Sequence, residues 1–126
     1  MSKKTIWITG GSTGIGKALA IKFASKGWNV AVSARRDELL NELSNSYENI
    51  SGFPLDVTDK EKCKEVFNEI KNKYENIDIC FFSTGTWDPK KEKDIDVEQM
   101  EDVFKVNFFG TVNSIKAVAV SYTHLR

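Results

Sequence analysis

The sequence predicts an α/β fold, a Rossmann-type doubly wound parallel sheet truncated after four βα units. Three observations carry that expectation. Short β-rich runs alternate with helix-like runs along the whole chain, the pattern of parallel strands joined by right-handed crossovers. The first strand-to-helix junction, "WITGGSTGIGKALAIKF" from Trp7 to Phe23, holds Gly10, Gly11, Gly14 and Gly16. The fourth strand is nearly continuous in apolar residues over Ile79 to Phe82, as in a strand covered by helices on both faces.

Each element follows in order. Thr5 to Thr9 ("TIWIT") is the first strand, and Ile15, Ala18, Leu19 and Phe23 recur behind it at helical spacing. Gly27 closes that helix, because glycine accepts a positive φ cheaply. Asn29 to Ala34 ("NVAVSA") is the second strand, followed by a polar helix with a Leu39, Leu40, Leu43 stripe. Ile50 to Val57 ("ISGFPLDV") is a third, less regular strand. Thr58 and Glu61 form a capping box, with Cys63, Val66, Phe67, Ile70 and Tyr74 as the buried stripe behind it. Ile77 to Gly85 ("IDICFFSTG") is the fourth strand. "TWDPKKEKDID" is a charged surface loop, and a last helix runs from about Val97 onward. No repeat, low-complexity tract or linker divides the chain.

Composition narrows the function classes. Apolar residues make up 40% and charged residues 29% of 126, the balance of an ordinary soluble domain. Lys plus Arg equals Asp plus Glu at 18 each. That gives no support to nucleic-acid or anionic-membrane binding, which calls for a basic excess. No apolar stretch approaches membrane-spanning length. The start, "MSKKTIWITG", moves from two lysines into a short strand without the apolar core of a signal peptide. Cys63 and Cys80 sit inside apolar patterns and are expected as buried, reduced thiols of a cytoplasmic protein, with no disulfide and no metal.

In a doubly wound sheet, ligands bind beyond the carboxyl ends of the strands. The glycine cluster lies there. Glycines permit a tight turn and close backbone approach, and the helix that follows offers unpaired N–H groups to an anion. The expected anion is the pyrophosphate of a dinucleotide. A P-loop is disfavoured, since Lys17 is followed by Ala18 and no Gly-Lys-Ser/Thr triplet occurs.

"TGGSTGIG", Thr9 to Gly16, resembles the Thr-Gly-x-x-x-Gly-x-Gly signature of classical short-chain dehydrogenases/reductases. The resemblance extends over Lys4 to Val118. "LDV", Leu55 to Val57, matches the segment whose Asp contacts the adenine in that family, and "FSTG", Phe82 to Gly85, stands in the place of its Asn-Asn-Ala-Gly. "VNFFGTVN", Val106 to Asn113, resembles the helix segment carrying the active-site Asn, here Asn107. The departure is at "FSTG", where Phe82, Ser83 and Thr84 replace the two asparagines and the alanine. The resemblance implies a cofactor site made by Gly10, Ser12, Thr13, Gly14, Ile15, Gly16, Asp56, Val57, Thr84 and Gly85. At Gly14 a side chain is expected to push into the pyrophosphate or the helix.

Cofactor choice is read at the end of the second strand. NAD-dependent members place an acid there for the ribose 2′-hydroxyl; here the position is Ala34, followed by Arg35 and Arg36. A guanidinium makes a paired, charge-assisted contact with a 2′-phosphate, so NADP(H) is expected over NAD(H), with Arg35 on the phosphate and Arg36 on the adenine.

Asn107 falls on one helix face with Met100, Val103, Phe104, Phe108, Thr111, Val112 and Ile115. It is expected among apolar neighbours, either as a satisfied core amide or, as the resemblance implies, holding a water for the family's proton relay. The family's serine and its Tyr-x-x-x-Lys lie further along than this chain reaches. Tyr122 and Arg126 mimic that spacing, but they come too soon, and arginine does not give up a proton in a relay. Residues 1–119 are therefore expected as the N-terminal part of a dinucleotide-binding domain. The polar, β-leaning "VSYTHLR", residues 120–126, resembles translated sequencing adapter and is expected as a non-native tail. The implied activity of the parent protein is hydride transfer between NADP(H) and a small carbonyl or alcohol substrate, in a homodimer or homotetramer. The alternative is a dinucleotide-binding sensor without catalysis.

Overall fold

The computed structural model describes residues 3–83 and 97–123, with side chains as far as 119. The elements in chain order are β1 (Thr5–Thr9), α1 (Gly14–Ser25), β2 (Asn29–Ser33), α2 (Asp37–Ser46), β3 (Ile50–Gly52), α3 (Lys60–Tyr74) and β4 (Ile79–Phe82). A long final helix follows. It consists of α4 (Val97–Phe104), a π-helical turn (Lys105–Gly110) and α5 (Thr111–Thr123). The four strands form one parallel sheet in the order β3-β2-β1-β4. The order runs outward from β1 in both directions, which is the doubly wound arrangement expected of the alternation.

Alternation along β1 sorts its side chains into two cores. Ile6 and Ile8 join Val30, Val32, Leu40, Leu43 and Ile50 under α1 and α2. Trp7 points the other way, into Leu55, Val57, Cys63, Val66, Phe67 and Ile70 under α3, with Ala117 of α5. Trp7 is fully buried; its indole N–H donates to Ser33 Oγ at 2.9 Å, so the one polar atom of the ring is satisfied.

Four sequence expectations are corrected. The buried face of α1 is Gly16, Ala20 and Ala24, while Ile15 is exposed and Leu19 and Phe23 only flank the core. The helix lies so close to the sheet that small side chains make the contact. β3 is three residues long rather than eight. Pro54 has no N–H to give to a ladder, and beyond Gly52 only Phe53 and Leu55 still donate, to Val32 O and Ala34 O. The cap of α3 is Asp59, whose carboxylate accepts from Lys62 N at 3.1 Å, not a Thr58/Glu61 box. Asp56 has already claimed Thr58. β4 pairs only with β1 among the described residues, so Ile79 is exposed and Phe81 and Phe82 are half-buried, short of the two-faced burial expected.

Gly27 ends α1 as expected, at φ 84°, with Trp28 N reaching back to Phe23 O. Both cysteines are free thiols; Cys63 is buried as expected, while Cys80, on the strand that pairs only with β1 among the described residues, is half-buried. Burial raises the Cys63 thiol pKa and pushes that of Cys80 up to about 11, so both stay protonated near neutrality. The composition turns polar at Ser121, but the helix runs on to Thr123, since no glycine or proline intervenes to stop it.

Candidate functional site, a dinucleotide cleft at the strand ends

The carboxyl ends of β1, β2 and β4, the N-terminus of α1 and the segment after β3 enclose a cleft of about 630 Å³. Its floor is the glycine turn. Gly10 and Gly14 have positive φ, 73° and 58°, a conformation L side chains rarely adopt. Gly16 is constrained differently: a Cβ there would run into the Gly10 carbonyl oxygen and come within 2.7 Å of Ser83 Oγ. Gly14 is corrected in one respect. Outside its chain neighbours and its own helix backbone, a Cβ on it would meet no protein atom within 4 Å, so the packing of the rest of the protein does not require this glycine and the positive φ does.

The helix start is left open. Thr13 occupies the N-cap of α1 without making a side-chain cap bond, and no acid lies in the first turn. The other helices differ. Asp37 and Glu38 lie in the first turn of α2, and Asp59 caps α3. At α1 the first-turn N–H groups and the positive end of the helix dipole face the cleft with no acid in that turn and no side-chain cap to answer them.

The walls come from the other strand ends. Ser12, Thr13 and Ile15 line the turn side, with Ser33, Ala34, Arg35 and Arg36 beyond the end of β2. Both arginines are exposed, and Ala34 leaves no carboxylate between them and the strand. Leu55, Asp56 and Val57 form the third wall. The Thr58 hydroxyl, at 2.7 Å, and the Thr58 N–H, at 3.0 Å, both donate to Asp56 Oδ1 and hold that carboxyl below its usual range, helped by the charges of Arg35 and Lys105. Asp56 is thus ionised, with one oxygen committed to Thr58.

The fourth wall is Phe81, Phe82 and Ser83. Ser83 is more than a replacement for asparagine. Its N–H donates to Thr9 O at 3.0 Å, and its hydroxyl reaches Thr9 O at 2.8 Å and Gly10 O at 3.3 Å. It ties the end of β4 to the entry of the glycine turn. Thr84 and Gly85, expected at this site, lie outside the described residues.

The structure therefore brings Gly10, Ser12, Thr13, Gly14, Ile15, Gly16, Arg35, Arg36, Asp56 and Val57 to one cleft. Sequence reasoning missed Ser33, Leu55, Phe81 and Val106 as lining residues. Ser33 and Phe81 sit on strand ends already placed at this rim, so the topology rule alone could have found them. Asn107 is corrected: it is exposed, and Met100, Phe104, Phe108, Val112 and Ile115 of its expected face are exposed with it. The π-helical turn shifts the register from Lys105 onward, while Met100 and Phe104 are exposed ahead of it. Its neighbour Val106 reaches the cleft. Among the described residues there is no cluster able to hold a metal and no helix long and apolar enough to cross a membrane.

Known proteins share this fold. A solved structure of ElxO with NADP bound superposes with a TM-score of 0.85 at 29% identity, over 98% of this chain and 52% of that one. An uncharacterized oxidoreductase of Listeria monocytogenes is 31% identical over 97% of this chain and 51% of its own length. A glucose 1-dehydrogenase of Gluconobacter oxydans is 29% identical over 86% of this chain and 43% of its own. The chain thus spans about half the length of the relatives it matches. The family profile described as short chain dehydrogenase matches residues 4–123, glycine turn, third-strand segment and Asn107 helix included, and on that match the chain belongs to the short chain dehydrogenase family.

Proposed function

We propose that this chain is the dinucleotide-binding half of an NADP(H)-dependent oxidoreductase that exchanges hydride with a carbonyl or alcohol carbon. The observation that carries the reading is the uncapped, acid-free N-terminus of α1 above a glycine turn, rimmed by Arg35 and Arg36. The residues present fit the cofactor. The first-turn N–H groups of α1 suit a pyrophosphate, and Gly16 keeps clear the space a side chain would take from Gly10 and Ser83. Arg35 offers a fork of donors to a 2′-phosphate where Ala34 offers no acid to a 2′-hydroxyl. The second oxygen of Asp56 and the backbone of Val57 suit the adenine edge. NADP bound in the similar ElxO structure supports the same choice.

Bound there, the cofactor supplies the hydride. The chain's own residues bind and orient it. Asn107 follows the cleft-lining Val106 in sequence, and the family resemblance gives it the role of holding a water. Asn107 is no proton donor to a carbonyl by itself, so proton transfer rests with an acid elsewhere in the full-length enzyme.

Titrating the full-length protein with NADPH and NADH tests the reading. NADPH is expected to bind at least tenfold more tightly, and Arg35→Ala is expected to remove about tenfold or more of that preference, the scale of a lost charge-assisted contact. Tighter binding of NADH than of NADPH would refute it.

A further inference from the structure

The wall formed by Asp56 and Val57 is held from behind by the last helix. Asn113 of α5 donates from Nδ2 to the Val57 carbonyl at 3.0 Å, across 56 positions of sequence. The Cys63 thiol lies 3.7 Å from the same oxygen. Gly110 makes the approach possible: it is buried, and a Cβ on it would collide with Val57 Cγ2 and lie 3.1 Å from Val57 Cβ. Ser114, fully buried, donates to Gly110 O at 2.9 Å and fixes the end of the π-helical turn. That turn carries Asn107, together with Val106, which lines the same cleft as Val57.

Two sides of one cleft are therefore joined outside it, through the packing of Gly110 and Ala117 and through one side-chain amide, that of Asn113. We infer that Asn113 is a positioning residue that ties the Asn107-bearing turn to the Asp56–Val57 wall, so that filling the adenine side of the cleft seats that turn. The inference rests on the cofactor reading above. If ligand contact with Asp56 and Val57 steadies their segment, the steadied Val57 carbonyl holds Asn113, and Asn113 lies in the same helix as Asn107, six residues on. Sequence spacing hides this link, because Asn113 follows the family's active-site position without being one of its catalytic groups.

The test uses 2′,5′-ADP and nicotinamide mononucleotide as separate probes of the two cofactor halves, on the full-length protein and its Asn113→Asp variant. Asp keeps the shape of Asn and removes the donor. Asn113→Ala serves as a second variant if the carboxylate prevents folding. In the wild type, 2′,5′-ADP is expected to slow amide hydrogen exchange across Lys105–Gly110. In the variant that slowing disappears, and affinity for 2′,5′-ADP falls about two- to tenfold, the worth of one side-chain-to-backbone bond. Affinity for nicotinamide mononucleotide stays level. A purely structural role would lower the melting temperature and leave the exchange response and the ratio of the two affinities intact. Unchanged protection and affinity in the variant overturn the inference alone. No binding of 2′,5′-ADP by the folded wild type overturns the cofactor reading, and this inference with it.

Discussion

Gly16→Ala adds one methyl group at the tightest point of the site. The added Cβ would overlap the Gly10 carbonyl oxygen, lie 3.0 Å from the Gly10 carbonyl carbon and 2.7 Å from Ser83 Oγ. Ordinary contact begins at 3.4 Å, so the gap to Ser83 alone must open by 0.7 Å. Ser83 does not swing away freely, because its hydroxyl is bonded to Thr9 O and Gly10 O. The carbonyl of Gly10 does not move freely either, since Gly10 N is held at 2.7 Å to Ser33 O. The strain therefore passes into the start of α1, which must lift off the strand ends.

Overpacking of this kind costs about 1–3 kcal/mol. For a chain of this size that is a fall of several degrees in melting temperature, at roughly 2–8 °C per kcal/mol. Lifting α1 also moves its first-turn N–H groups away from a pyrophosphate. Gly14→Ala is the comparison: its Cβ meets no protein atom outside its own helix backbone, and its cost to folding is that of the left-handed backbone angle, about 1–2 kcal/mol. Melts and NADPH titrations of the two variants separate the effects. Both variants are expected to lose affinity, since Gly14 lines the cleft too, but Gly16→Ala is expected to lose more stability than Gly14→Ala. A Gly16→Ala protein that melts within a degree of wild type and binds NADPH equally would refute the argument that this glycine is a spacing requirement.

Asp56 gives a pH prediction. Its folded pKa is lowered below 3.8 by the Thr58 bonds, so the stability it lends is present above the unfolded value and is lost as pH falls through the folded one. Asp56→Asn should melt lower than wild type near neutrality, with the two curves converging in acid; a gap that stays constant with pH would count against this account. Glu75, just past α3, has φ 70° and ψ −48°, with Asn76 N bonded to Tyr74 O at 2.8 Å, a tight and strained turn. Glu75→Gly should stabilise the protein by about 1 kcal/mol, read from denaturant midpoints; no gain would mean that the angle carries no strain.

Most of the fold was legible because its signals are local. The third strand starts at Ile50 as expected but ends early, whereas the first two β-rich runs, the stripes of α2 and α3 and the stop at Gly27 fall where the residues put them. So does the glycine turn, where position after a strand and before a helix gave the site as well as the turn. What was less legible depends on competition between neighbours. Thr58 and Glu61 have the spacing of a capping box, yet Asp56 stands two residues before Thr58 and Asp59 one after it. Two carboxylates compete for the same role, and Asp59 takes the helix while Asp56 takes the threonine. Spacing rules do not rank such competitors. Ser83 was hidden for a similar reason. Its two bonds run to carbonyls more than seventy residues earlier in the chain, and it came to notice only as a departure from asparagine.

The two helices that border the cleft were misread in the same way, and the shared cause is physical. A stripe of large apolar residues marks the buried face of a helix only when the helix stands far enough from its neighbour to admit them. α1 meets the sheet through Gly16, Ala20 and Ala24. The last helix meets the protein through Gly110, Ser114 and Ala117, while Phe108, Phe109 and Ile115 face outward. In both, small residues three or four apart form the contact, and the π-helical turn in the second breaks the 3.6-residue register on which the stripe was counted. Close approach is what the site requires of both helices. It sets the start of α1 directly over the glycine turn, and it brings Asn113 within 3.0 Å of the Val57 carbonyl. A larger residue at Gly16 or Gly110 would bury more apolar surface and hold its helix away from these partners. The small faces therefore trade hydrophobic burial for backbone groups set where a dinucleotide can use them.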